Sequence, residues 1–362
     1  MYFVVIPCGS QKQAVDYMED QTTSEKSLYI GIDAGMFKTS VCTSEGKRFT
    51  ERSTVAYSGE NSNNQEQKVV SGKDALDLTN GNIKELFKGE LRTEEDIDTC
   101  RKFLRSILEK HDIDTSRNTY AILGTPSNAS KEYKRKFLEL ANEVFSGAML
   151  VDELFCASYK NNLPDRSIIV DIGYSKTDIS IIDSEVPREN DCLRISCAGK
   201  DIDSEIVKLI SERWEDSKVT EELASEWKEK YGHLGSGSNN CVVEVPLESG
   251  NVQESILEEL QLACEFVVTD IVSGIIKLIS DIEPELREKL RNNIHILGGT
   301  SDLEGLDTFI ENELKVLGGG KVISDIDPVY GISEGALEIA KNMPPEFWNQ
   351  LNAENKTKEM IV

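Results

Sequence analysis

The spacing of apolar and polar positions changes character at Leu28. Residues 1–26 are polar after Pro7 and carry no period, which predicts a mobile extension. Residues 28–33 form a short apolar run, residues 39–43 a second one behind a Gly-containing turn, and residues 47–57 a third, so a three-stranded meander is expected. Residues 58–67 are rich in Ser, Asn and Gln and read as a surface loop. Ile97, Cys100, Leu104, Ile107 and Leu108 then recur at helical spacing. Residues 120–124 predict a strand ending on Thr125-Pro126-Ser127, after which Ser130 caps a helix with Tyr133, Phe137, Ala141 and Val144 on its apolar face. A further strand, 148–151, runs directly into Asp152-Glu153.

The pattern then restarts. Residues 167–170 predict a strand followed by Asp171 and Gly173, and residues 178–183 a second strand. Helical periods follow at 202–214 and 221–231, then a Gly- and Ser-rich loop at 232–240. A long amphipathic helix carries Ile256, Leu260, Cys264, Val267, Ile271, Ile275 and Leu278. Strand 293–297 meets Gly298-Gly299-Thr300, and the next helix, with Leu306, Phe309 and Leu314, is broken by three glycines at 318–320. A last helix over 331–340 precedes Pro344-Pro345-Glu346-Phe347-Trp348.

The restart is a duplication at the level of residues. Ile32-Asp33-Ala34-Gly35-Met36-Phe37-Lys38-Thr39 and Val170-Asp171-Ile172-Gly173-Tyr174-Ser175-Lys176-Thr177 both read hydrophobic-Asp-x-Gly-x-x-Lys-Thr between two β-rich runs. Each copy predicts a hairpin with an aspartate at the end of its first strand. The turn exposes backbone N–H groups, and the glycine permits close approach of a phosphate oxygen. One Asp-x-Gly after a strand is ordinary turn chemistry. Two copies, each opening one half of the chain, are better explained as hairpins that face one another across a polyphosphate. Asp33 and Asp171 would then reach a hydrated Mg²⁺, an ion that keeps several waters and takes few protein ligands. Lys38 and Lys176 would neutralise phosphate charge, and the hydroxyls of Thr39 and Thr177 would bond phosphate or position water.

Three other elements fit such a site. Gly298-Gly299-Thr300-Ser301 joins a strand to a helix, where small residues let a flat base or ribose pack on backbone; a glycine pair there is also common turn chemistry. Lys228 and Glu229 sit on a predicted helix and would reach an adenosine, unless they belong to a solvated charged face. Glu153 is a candidate for acting on an attacking water. Asp152 competes with it, and either carboxylate would also suit a helix N-terminus.

Composition narrows the classes. The 362 residues are enough for about two domains. The net charge of −25 and pI near 4.6 argue against nucleic acid and anionic lipid as general partners. No apolar run approaches the ~18 residues of a membrane span, and residues 1–7 lack a basic n-region. Eight cysteines without CxxC pairs point to buried thiols in a reducing cytoplasm. Three histidines, His111, His233 and His295, make His-based zinc sites and Ser-His-Asp catalysis poor candidates.

Together, the duplicated Asp-x-Gly hairpins, the strand followed by Asp-Glu and the late Gly-Gly-Thr-Ser resemble the actin, heat-shock chaperone and sugar kinase ATPase superfamily. Within it, the chain resembles the bacterial actins over about residues 28–351. Gly335-Ala336-Leu337 on a helix, the Pro344 to Trp348 ending and the N-terminal extension are similar to the magnetosome-aligning MamK family. The resemblance implies an α/β, actin-like fold: two domains of duplicated ribonuclease H-like topology around a nucleotide cleft. It divides the chain into an extension (1–26), domain I (27–164, with 58–84 as a small subdomain), domain II (165–324, with 201–274 as a small subdomain), a helix returning to domain I (325–343) and a tail (344–362).

It further implies ATP or ADP with Mg²⁺, head-to-tail assembly into filaments, and slow hydrolysis following assembly. Asp33 and Asp171 match the family's phosphate-loop aspartates and Glu153 its water-activating carboxylate. Gly35 to Lys38 and Gly173 to Lys176 match the phosphate loops, Gly298, Gly299 and Thr300 the adenosine motif, and Lys228 and Glu229 the helix beside the base. Met36 and Phe37 replace small hydroxyl residues usual in the first loop, and Ser175 and Lys176 stand where the second usually has Gly and Thr. Leu154 occupies a usual proline position, and Thr300 that of a glycine. The expectation is a cytoplasmic cytoskeletal filament that positions magnetosomes or another cargo, with itself and cargo-associated proteins as partners. A small-molecule kinase on the same fold, a chaperone, or a cell-shape or plasmid-segregation actin are the competing classes. Residues 2–6 are the one stretch that would suit a membrane tether.

Overall fold

The computed structural model describes residues 27–58, 68–78, 82–87, 91, 93–126, 128–160, 166–183, 187, 191–235 and 241–351. The expected N-terminal extension, most of the 58–67 loop, residues 236–240 and the end of the tail lie outside them.

Strands β1 (Leu28–Ala34), β2 (Lys38–Thr43) and β3 (Arg48–Arg52) make the expected meander. The run expected over 47–57 is divided: beyond Ser53 the chain enters β4 (Thr54–Ser58), the centre of a separate three-stranded sheet with β5 (Lys68–Ser71) and β6 (Asn82–Glu85). Ser53 is the corner, its N–H donated to the Phe37 carbonyl and its hydroxyl to that of Gly35. Helix α1 (Glu94–Lys110) starts on a capping box, with Thr93 accepting from the Asp96 N–H and Asp96 from the Thr93 N–H. Then come β7 (Thr119–Thr125), α2 (Lys131–Val144), capped by Ser130 as expected, β8 (Gly147–Asp152) and α3 (Glu153–Lys160).

The second half repeats the plan. Strands β9 (Ser167–Ile172), β10 (Thr177–Ile182) and β11 (Cys192–Ile195) form a meander, followed by α4 (Gly199–Arg213), α5 (Glu221–Tyr231) and the small hairpin β12 (Val242–Val245) and β13 (Val252–Ser255). Helices α6 (Leu257–Ser280) and α7 (Pro284–Arg291), strand β14 (Ile294–Leu297), helix α8 (Leu306–Glu313), strand β15 (Val322–Ser324) and helix α9 (Gly331–Asn342) complete the order.

The two principal sheets have the orders β3-β2-β1-β7-β8 and β11-β10-β9-β14-β15. In each, an antiparallel meander is followed by two strands that join parallel to its first member, by way of helices. The duplication read in the sequence is thus a duplication of topology.

Each half has its own core, and a third cluster joins them. That cluster places Leu154 and Ala157 of α3 and Ile332, Ala336 and Ile339 of α9 against Ile122 of the first sheet and Ile169 and Leu297 of the second. Helices α3 and α9 approach so closely that a methyl group on Gly335 would overlap the Cys156 carbonyl oxygen. Trp348, 1 % exposed, stacks on Tyr120 at 5.1 Å and donates its indole N–H to the Ala340 carbonyl. The aromatic ending therefore packs into the cluster that joins the two halves. No helix among the described residues is long and apolar enough to cross a membrane.

Candidate functional site

Four strand ends meet at one place. Asp33 lies near the carboxyl end of β1, Glu153 directly follows β8, Asp171 lies near the end of β9, and Gly298 directly follows β14. The carboxyl ends of parallel strands are where open α/β sheets gather ligands, because the loops leaving them diverge to either side. Here two such sheets share one cleft. It is lined by Asp33, Gly35, Met36, Phe37, Lys38, Glu153, Asp171, Gly173, Tyr174, Ser175, Lys176, Lys228, Glu229, Gly298, Gly299 and Thr300, all expected from sequence, with Ser40, Ser225, Pro328, Val329 and Ile332 beside them.

Thr177 is the exception. It is fully buried and donates its hydroxyl to the Cys197 carbonyl at 2.7 Å, so it secures the hairpin instead of facing the cleft. Thr39, its counterpart, is likewise buried, against the Ser53 hydroxyl at 2.9 Å. Thr177 opens β10 and Thr39 is the second residue of β2, and each hydroxyl is taken up by a partner within its own half, so neither meets the space between the hairpins. The two neighbouring carboxylates take different positions. Asp152 accepts the Phe155 N–H at 2.9 Å as the cap of α3, while Glu153 lines the cleft.

Three carboxyl groups, of Asp33, Glu153 and Asp171, share the cleft. Desolvation, then the facing carboxylates of Glu153 and Asp171, push the Asp33 pKa well above the ordinary value. Desolvation, with Glu153 next, lifts Asp171 to about 7. Burial also raises Glu153, against the opposing pull of the Lys176 ammonium. Lys176 reaches Glu153 at 3.2 Å and Asp178 at 2.9 Å, and Arg194 holds Asp178 from behind through two bonds of 2.6 and 2.9 Å. Burial alone would raise Asp178; these two cations outweigh it and hold its carboxyl below the usual value.

Across the mouth, Phe37 of the first hairpin stacks on Tyr174 of the second. The Arg52 guanidinium covers the outer face of Phe37 at 3.2 Å, and Ser175 donates its hydroxyl to the Met36 sulfur at 3.2 Å. Lys38 and Glu229, both well exposed, pair across the cleft at 3.7 Å. Deeper in the second half, the buried Lys228 ammonium is held by Asp203 at 2.7 Å and donates to the Gly199 carbonyl at 2.8 Å. Thr300 donates to the Gly173 carbonyl at 2.9 Å, tying the Gly-Gly-Thr turn to the second hairpin. Gly298 has φ +88°, and a side chain there would overlap the Asp171 carboxylate, so this turn requires glycine.

Sequence reasoning missed Arg52, Asp178, Arg194 and Asp203. Asp178 and Arg194 are directly opposed on β10 and β11, and pairing of opposite charges across a hairpin is a signal once the register is known. Arg52 opposes Lys38 across β2 and β3, again visible only with the register in hand, and Asp203 meets Lys228 only when α4 packs against α5.

An α/β chain whose two halves repeat one five-stranded topology, and whose strand-end carboxylates converge between them, has an actin-like fold. Its backbone superposes on the MamK double helical filament with a TM-score of 0.80 at 27 % identity, covering 88 % of this chain and 100 % of that one. It superposes likewise on a non-polymerising MamK mutant bound to AMPPNP, with a TM-score of 0.72 at 26 % identity, covering 88 % and 100 %. The MreB/Mbl protein family matches residues 27–345, and the chain belongs to that family. Over 345 residues it is 28 % identical to the actin-like protein MamK of Magnetospirillum gryphiswaldense, covering 92 % of this chain and 94 % of that protein.

Proposed function

We propose that this chain binds ATP with Mg²⁺ in the cleft, polymerises into filaments and hydrolyses the nucleotide slowly to control assembly. One observation carries the reading: Asp33, Glu153, Asp171 and the Gly298-Gly299 turn, from four separate strand ends, line a single cleft between topologically repeated halves. Likeness to a MamK filament and to a MamK mutant bound to AMPPNP supports it.

In this reading the hairpin amides after Gly35 and Gly173 hold phosphate oxygens from opposite sides, and Lys38 leaves Glu229 to neutralise phosphate charge. The Gly298 to Thr300 turn packs on the adenosine, with Lys228 and Glu229 beside the base. The described residues contain no cluster of three metal-ligating side chains. The oxygen donors at hand, Asp33 and Asp171, suit Mg²⁺, which they would hold through water. The ion would screen the phosphate charge. Glu153 orients the attacking water and takes its proton. The water oxygen bonds to the γ-phosphorus as the bond to the bridging β-oxygen breaks, releasing ADP and phosphate.

A head-to-tail contact is heterologous and does not close, so it propagates a fibre. We place the filament in the cytoplasm, with magnetosomes or another organelle as cargo. Pelleting and negative-stain microscopy with and without ATP, with phosphate release followed in parallel, test the reading. Filaments that form with ATP and release phosphate after assembly are expected. ATP-dependent phosphorylation of a metabolite without polymer would replace it with a kinase. Flotation with liposomes, comparing the full chain with one lacking residues 1–26, tests for a membrane tether.

A further inference from the structure

The reaction proposed above gives no part to Lys176, although its ammonium group lies beside Glu153 in the cleft. Lys176 lies in the turn of the second hairpin, yet its Nζ reaches Glu153 Oε2, the first residue of α3 in the other half, at 3.2 Å. The same Nζ lies 2.9 Å from Asp178, which Arg194 grips with two bonds from strand β11. The result is a line of alternating charge, Arg194–Asp178–Lys176–Glu153, running from the edge of one sheet to the proposed base on the opposite half. Arg194 and Asp178 oppose each other in register, so the far end of the line is anchored in β-structure. The Lys176 side chain is 23 % exposed and that of Glu153 8 %, so the pair is shielded from the solvent that makes surface ion pairs weak.

We infer that Lys176 is a positioning residue that restrains hydrolysis by holding Glu153. This rests on the reading of Glu153 as the group that acts on water. An ammonium on Oε2 has two effects. It occupies an acceptor site that the water would use, and it makes the carboxylate a weaker base than its desolvated surroundings would otherwise make it. A general base works best with a pKa near the working pH, so lowering the proton affinity of a carboxylate lowers its efficiency. Because the cation and the base belong to different halves, the restraint also depends on how the halves sit against one another.

The test compares single-turnover phosphate release in preformed filaments of the wild type, Lys176→Thr, Lys176→Arg, Glu153→Ala and the Lys176→Thr/Glu153→Ala double variant. Lys176→Thr is expected to release phosphate faster by about tenfold, a part of the ~10²–10⁴ that a positioned general base supplies in all. Lys176→Arg, which keeps the charge but not the compact ammonium, should accelerate release less than Lys176→Thr does. The acceleration should vanish in the double variant, which a merely structural role for Lys176 would not require. Unfolding of the nucleotide-free chain gives an independent readout. Shifts in melting temperature from Lys176→Thr and Glu153→Gln should be non-additive, as expected for a contacting pair.

Should Lys176→Thr not fold, Arg194→Gln loosens the same line from its half-exposed end and should accelerate release in the same direction. Slower release with weakened ATP affinity would show that Lys176 serves the phosphates instead, and would overturn the inference. Equal acceleration with and without Glu153, or additive melting shifts, would also overturn it. If the wild type binds no ATP, or Glu153→Ala releases phosphate at the wild-type rate, the underlying functional reading has failed instead.

Discussion

Phe37 and Tyr174 lie 4.0 Å apart, centroid to centroid, with their planes inclined by 27°, one ring on each Asp-x-Gly hairpin. With Arg52 over the outer face of Phe37, the stack joins the first half to the second at the mouth of the cleft. An aromatic pair and one cation–π contact are together worth about 1–2 kcal/mol, or roughly tenfold in an opening equilibrium. Phe37→Ala is therefore expected to speed release of a fluorescent ATP analogue by about that factor. An unchanged off-rate would mean that the rings do not hold the cleft closed.

The elevated pKa of Asp171 has a consequence for the nucleotide-free chain. A carboxyl raised from 3.8 to about 7 on folding binds more protons in the folded than in the unfolded state between those values. Its contribution to stability is full below about pH 4 and is lost as the pH rises through 7. The displacement is worth at most ~4 kcal/mol. Asp171→Asn should therefore melt higher than the wild type at pH 8, with the advantage fading towards pH 4. Parallel melting curves across that range would refute the elevated value.

Gly298 is held at positive φ against the Asp171 carboxylate and the Ile172 carbonyl. Gly298→Ala must displace the turn or the carboxylate, and strained backbone of this kind costs about 1–3 kcal/mol. We expect a lower melting temperature together with weaker ATP binding. Gly299→Ala, where an added methyl group meets nothing within 4 Å, should be milder in both measurements.

Glu153→Ala separates assembly from turnover. Filaments should still form with ATP, while phosphate release falls by about 10²–10⁴ and disassembly is delayed. Pelleting and a phosphate-release assay on one preparation decide this. Undiminished release would assign the role to another group.

Much of the fold was legible because it is written twice. The first meander, the first two strands of the second, both Asp-x-Gly hairpins and the long helix α6 follow from local periodicity and turn chemistry, whereas β11, the third strand of the second meander, was not read. The short strands β5, β6 and β15, at most four residues each, have too few positions to show alternation and are set by their sheet partners. Most cleft residues were readable because glycine and aspartate at strand ends act locally; Ser40, Ser225, Pro328, Val329 and Ile332 were not. Thr177 was misread because its neighbours in the motif face the cleft while it points into its own half. The Arg194–Asp178–Lys176 line was hidden, since it exists only once the register of β10 with β11 is fixed.

The central claim is that two hairpins, one from each half, grip a single nucleotide. Calorimetric titration of ATP with Mg²⁺ into the wild type, Asp33→Ala and Asp171→Ala tests it most directly. One site per chain is predicted, weakened by at least about tenfold (~1.4 kcal/mol) when either aspartate is removed. Absence of binding to the wild type, or binding that is indifferent to the loss of one aspartate, would contradict it.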